Sequence, residues 1–100
     1  MEDYVKIFLN DKFMVLEELY KHQMDINGVM LCPVTQQELA DIVGCSKAKI
    51  NSILNELMEK KLVEMYNNTK GRYTLSDDAI KIIKKLSWLL DTILEILIYT

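Results

Sequence analysis

The spacing of apolar residues changes along this chain, and each change marks an element. Over residues 3–22, Val5, Phe8, Leu9, Phe13, Leu16, Leu19 and Tyr20 mostly recur at helical intervals, with Asp3 where a cap belongs, so a first helix is predicted there. Tyr4, Ile7, Met14 and Val15 fall off that stripe and need cover, from the last helix of the same chain or from a partner. Asn27-Gly28 is a turn signal, and the apolar run 29–32 that follows stops at Pro33, which predicts a short strand. Segments 62–66 and 72–75 are β-favouring, flank a polar tip containing Gly71, and read as a hairpin.

From Ser76, a natural cap, a last helix runs toward the end of the sequence over roughly 36 Å at about 1.5 Å per residue. Ile80, Ile83, Leu86, Leu90, Ile93 and Leu97 form one stripe; Ile82, Leu89 and Ile96 form another; Trp88, Leu94, Ile98 and Tyr99 widen both. A helix apolar on so much of its circumference needs cover on more than one side. Either the first helix folds over the second stripe, or a second copy supplies the cover. The homodimer is the expectation, with Ile82, Leu86, Leu89, Leu90, Ile93, Ile96 and Leu97 at its interface.

Between these parts lies TQQELADIVGCSKAKINSILNEL, residues 35–57. Thr35 and Glu38 have the spacing of a capping box, and Val34 and Leu39 that of a hydrophobic staple. Gly44 can take the positive φ that ends a helix tightly, and Ser46 can cap the next, whose buried stripe is Ile50, Ile53, Leu54 and Leu57. Ala40 supplies the small side chain that a steep crossing against Ile50 requires.

The register of Leu39-Ala40, Val43-Gly44, Ile50 and Ile53 resembles the helix-turn-helix of bacterial DNA-binding regulators, and Cys45 fits there as a small buried residue. The segment that follows, ELMEKKLVEMYNNTKGRYTL, resembles the passage from recognition helix to wing in the winged-helix family of such regulators. The resemblance spans residues 29–75. It implies a mainly α fold with a small β-hairpin, a winged helix-turn-helix with long N- and C-terminal helices. Residues 1–100 would be a single domain: 3–22 the first helix, 29–75 the strand, helix-turn-helix and wing, 76–100 a dimerisation helix. It also implies a recognition helix in the major groove and a wing on the adjacent backbone or minor groove.

Composition is compatible with this reading and narrows it. Of 100 residues, half are hydrophobic and 27% charged, ordinary for one globular domain. The net charge of −3 argues against a protein that coats nucleic acid nonspecifically. The charge is unevenly placed, however: residues 46–72 hold Lys47, Lys49, Lys60, Lys61, Lys70 and Arg72 against Glu56, Glu59 and Glu64. Cys32 and Cys45 lack metal-site spacing and have only His22 beside them, so neither a metal nor a cofactor is expected, and reduced thiols in a cytoplasm are the simpler reading. His22 falls near the end of the first helix, where it complements the helix dipole. No signal segment opens the chain, and the apolar run 86–99 is too short to span a bilayer and contains Asp91 and Glu95.

With Ile50, Ile53, Leu54 and Leu57 buried, the opposite face of the second helix carries Ala48, Ser52, Asn55 and Glu59, flanked by Lys47, Lys49 and Asn51. Ala48, Asn51 and Ser52 are the candidates for base edges, with Asn55 reaching if the helix enters deeply. Ser46 stands at the helix start. Lys47, Lys49, Lys70 and Arg72 suit phosphates, and Thr35, Gln36 and Gln37 open the preceding helix, where free amides also hold anions. An enzyme is not expected, because no nucleophile has an evident base and no glycine loop cradles phosphate. The leading expectation is a dimeric transcriptional regulator that binds double-stranded DNA sequence-specifically. A winged-helix protein-interaction module and a plasmid or phage replication initiator are the alternatives, and control by a small-molecule effector stays open.

Overall fold

The computed structural model describes residues 10–99. In chain order its elements are helix α1 (Asp11–Lys21), strands β1 (Met24–Ile26) and β2 (Val29–Pro33), helices α2 (Gln36–Val43) and α3 (Lys47–Glu59), strand β3 (Val63–Met65), a 3-10 turn (Tyr66–Asn68), strand β4 (Arg72–Leu75) and helix α4 (Asp77–Tyr99).

α1 begins later than the apolar periodicity suggests. Asn10 is extended, with ψ 158°, and its side chain accepts from the Phe13 amide at 2.9 Å, so no continuous helix runs through it from Asp3. The expected Asp3 cap, with Tyr4, Val5, Ile7, Phe8 and Leu9, lies outside the described residues. His22 closes α1. Its backbone amide bonds the last-turn carbonyls, and its Nδ1 lies 2.7 Å from the Glu18 carbonyl, an acceptor to which it donates.

The Asn27-Gly28 turn joins two strands where the sequence suggested one. Both residues are left-handed, at φ 52° and 84°, as a two-residue hairpin needs, and the Asp25 carboxylate accepts from the Gly28 amide at 2.8 Å. β1 pairs with β2 (Met24↔Leu31), and β2 pairs antiparallel with β4 (Cys32↔Tyr73). The wing hairpin β3–β4 (Glu64↔Thr74) is therefore one side of a four-stranded sheet, ordered β1-β2-β4-β3. Tyr66 leaves the expected strand to enter the 3-10 turn, and left-handed Asn67 and Asn68 bend the tip.

α2, α3 and the sheet share one core with the helices at either end. Val15, Leu16 and Leu19 of α1 meet Cys32, Val34, Leu39, Ala40, Ile50, Leu54, Leu57, Val63, Tyr73 and Ile83 in a single buried cluster. Ala40 and Ile50 are both buried in that cluster. Val15, off the main stripe in sequence, is fully covered. Cys45, expected to be buried, is only partly so.

The end of α3 was not foreseen. Leu62 N–H bonds Leu57 O at 3.0 Å and Lys61 N–H bonds Met58 O at 3.0 Å, a Schellman turn with Lys61 in the left-handed position at φ 60°. Ser76 caps α4 by accepting from the Ala79 amide at 3.1 Å. Ala79 and Ile83 enter the core, and Ser87 Oγ donates to Glu17 Oε2 on α1 at 3.3 Å. Farther along α4 the apolar surface opens: Trp88 is 64% exposed, Leu94 47% and Ile98 76%. Among the described residues no helix is long and apolar enough to cross a membrane.

Candidate nucleic-acid interface

Two caps and one glycine set the geometry of the site. Thr35 Oγ1 accepts from the Glu38 amide at 3.0 Å and starts α2; Gly44, at φ 82° and ψ 39°, ends it; Ser46 Oγ accepts from the Lys49 amide at 3.1 Å and starts α3. Accepting leaves each hydroxyl its own proton to donate to an anion. The wing is pinned beside α2 by the Val34 amide, which bonds Gly71 O at 3.1 Å.

These connections create a cleft of about 210 Å³ lined by Thr35, Gln36, Gln37, Lys47, Lys70 and Gly71. Three separate elements thus bring two ammonium groups and the free amide end of α2 to one place, suited to an anion. Next to it on α3, Ala48, Asn51, Ser52 and Asn55 are exposed along an open trough that ends at Glu56 and Glu59. Gln36 Nε2 donates to Asn51 Oδ1 at 3.3 Å, so the cleft and the trough share a contact.

The basic residues are not equivalent. Lys47 and Lys70 line the cleft. Arg72 is exposed on β4 opposite Pro33 and does not line it. Lys49 Nζ lies 2.6 Å from Asp11 Oδ2 on α1, and that hydrogen bond, with the charge behind it, raises the Lys49 pKa above its ordinary value. Glu56 is held by Lys12 at 2.9 Å and Lys60 at 3.4 Å, and the Lys12 hydrogen bond leads in lowering its carboxyl pKa. The acids of α3 therefore do not neutralise Lys47 or Lys49; Asp11 does the latter from another helix. Asp11 and Lys12 carried no local sequence signal for this role, since they lie far from α3 in the chain.

A second hollow, of about 400 Å³, lies between α1 and α4 and is lined by Glu17, Tyr20, Lys21, Ile83, Lys84, Ser87, Trp88 and Asp91. Of the residues expected at a dimer interface, Ile82, Ile96 and Leu97 are exposed, while Leu86, Leu89, Leu90 and Ile93 are half-buried.

Known proteins share this architecture. MepR of S. aureus, a transcription regulator of the multidrug efflux pump MepA, superposes with TM-score 0.71 at 24% identity, over 90% of this chain and 63% of that one. The S. aureus MepR–DNA complex gives TM-score 0.71 at 23% identity over 91% and 63%. The reduced Fe(II) CO-sensing protein of R. rubrum gives 0.65 at 20% over 85% and 38%. At these identities the likeness is one of fold, and the chain spans less than two thirds of the length of these proteins. No curated protein sequence matches it. Residues 14–79, from the middle of α1 through the helix-turn-helix and wing to the start of α4, match the Crp-like helix-turn-helix domain, and the chain belongs to that family.

Proposed function

We propose that this protein is a transcriptional regulator that binds double-stranded DNA sequence-specifically as a homodimer, with α3 in the major groove and the wing on the flanking backbone. The carrying observation is the cleft in which Thr35, Gln36, Gln37, Lys47 and Lys70 converge beside the exposed row Ala48, Asn51, Ser52 and Asn55. Phosphate in the cleft fixes register, and the adjoining row then meets base edges. Glu56 and Glu59 limit entry to the part of α3 before them, which makes Asn55 the last residue in reach. Support also comes from MepR, whose similar fold is known in complex with DNA.

The domain reading is that residues 1–100 act as one winged-helix unit, with 76–100 as the dimerisation helix. The exposed apolar end of α4 supports it, because two such faces cover each other in a two-fold dimer, which also presents two recognition helices to a roughly palindromic site. Its action is binding, and no catalytic role is assigned to any residue.

The test is selection of DNA from fragmented genomic pools, followed by anisotropy titrations of the enriched site at several salt concentrations. The expected result is a two-fold site whose sequence preference relaxes in Asn51→Ala and Ser52→Ala. No enrichment, with weak binding that vanishes in salt, would overturn the reading and favour protein recognition through α4.

A further inference from the structure

The contact between the cleft and the trough assigns a second task to Gln36. This inference rests on the DNA-binding reading and deepens it. Gln36 opens α2 and lines the anion cleft, while Asn51 stands on the reading face of α3, and Gln36 Nε2 donates to Asn51 Oδ1 at 3.3 Å. We infer that Gln36 is a positioning residue that fixes the amide of Asn51 for one kind of base edge.

The chemistry follows from the donor and acceptor inventory of the two amides. Gln36 Nε2 donates to the oxygen of Asn51, and an anion seated in the cleft that Gln36 lines attracts this NH2 end and repels Gln36 Oε1, so the glutamine is kept from turning its own amide over. One Oδ1 lone pair is then committed to Gln36, while the Nδ2 protons and the second Oδ1 lone pair serve other partners. That remaining set, one donor beside one acceptor, matches the N7 acceptor and N6–H donor that adenine shows in the major groove. An unbuttressed asparagine can flip its amide and meet a base in either sense. Held by a Gln36 whose NH2 end is fixed by the anion in the cleft, it presents one sense only, so the specificity at that base pair depends on a residue that does not itself touch the base. Because Gln36 also lines the anion cleft, seating a phosphate there and orienting the reader occur through the same side chain.

Gln36→Met keeps the length of the side chain and removes the donor. Gln36→Glu keeps the length and replaces the donor with an acceptor, which draws Asn51 Nδ2 toward it and turns Oδ1 outward. The experiment measures binding of wild type, both variants, Asn51→Ala and Gln36→Met/Asn51→Ala to the enriched site and to versions changed at each base pair. Wild type is expected to discriminate at the Asn51 position by roughly 5- to 100-fold. Gln36→Met lowers discrimination at that position alone and adds nothing to the loss already caused by Asn51→Ala. Gln36→Glu shifts the preference there toward a base offering a donor, cytosine N4–H above all. If both Gln36 variants weaken every sequence equally and leave the preference at that position intact, Gln36 only holds phosphate and the inference is wrong while the DNA reading stands. If the wild type enriches no sequence, the DNA reading fails and the inference falls with it.

Discussion

Replacing Asp11 with asparagine should tighten DNA binding and make it more sensitive to salt. In the folded chain Lys49 is already neutralised by Asp11 at 2.6 Å, so a phosphate must displace a carboxylate to reach it. While that pair holds, Lys49 neutralises no phosphate and releases no condensed counterion from the DNA. In Asp11→Asn, Lys49 is free to contact phosphate, and one more counterion per protomer, two per dimer, leaves the DNA on binding. The slope of log K against log salt should become more negative by about 1.8 for the dimer. Across a change from about 50 to about 200 mM salt, the variant then loses roughly tenfold more affinity than wild type, starting from a tighter value. The assay is anisotropy titration of the enriched site across that range, with Lys49→Gln made in both backgrounds. Lys49→Gln should cost little in wild type and cancel the gain in Asp11→Asn. An unchanged slope in Asp11→Asn would refute the reasoning, because Lys49 would then either reach phosphate despite Asp11 or never reach it.

Other perturbations test the remaining structure. Lys61 holds a left-handed conformation that costs an L-residue about 1 kcal/mol, so Lys61→Gly should raise stability by up to ~1 kcal/mol in urea unfolding, against the usual effect of an added glycine. Burial pushes the Cys32 thiol up from 9.0 to about 11, so a thiol-specific alkylator at pH 8 should label Cys45 first and reach Cys32 only on unfolding. The same shift means that the neutral buried thiol contributes stability fully below pH 9, which is lost as pH rises toward 11. Ile93→Glu with Leu97→Glu should abolish the proposed homodimer and leave a folded monomer in sedimentation experiments, since neither residue belongs to the buried core; a mass unchanged from a dimeric wild type would remove α4 as the interface.

The parts of the fold that obey short-range rules were readable from the sequence. Thr35, Ser46 and Ser76 cap helices through contacts three residues away, and Gly44 closes one by its own φ, so each carries its structural meaning locally. The burial of Ile50, Ile53, Leu54 and Leu57 follows from helical period alone. β1 escaped notice because three residues, two of them exposed, show no alternation. The true start of α1 was hidden because apolar periodicity continues across Asn10 while the backbone does not. Within the candidate interface, the sequence points to Thr35, Gln36, Gln37, Lys47 and Lys70 of the cleft but not to Gly71, and it does not show how unequal in freedom the basic residues are. Asp11 with Lys49, Lys12 with Glu56 and Gln36 with Asn51 meet only after the chain has folded, and no spacing rule encodes such pairs.

Leu62 is the joint on which the wing hangs. Its amide bonds Leu57 O in the last turn of α3, and its carbonyl accepts from the amide of Ser76, the cap of α4, at 3.0 Å. Everything between them leaves and returns at one residue, a loop closed at its neck. The neck, with the Val34–Gly71 bond that pins the wing, makes the tip a replaceable part: residues 66–70 can lengthen, shorten or change charge while the angle between recognition helix and terminal helix stays as it is. Variation among proteins built this way should therefore collect in the wing tip, letting the grip on the DNA backbone diverge without recalibrating the distance between two half-sites.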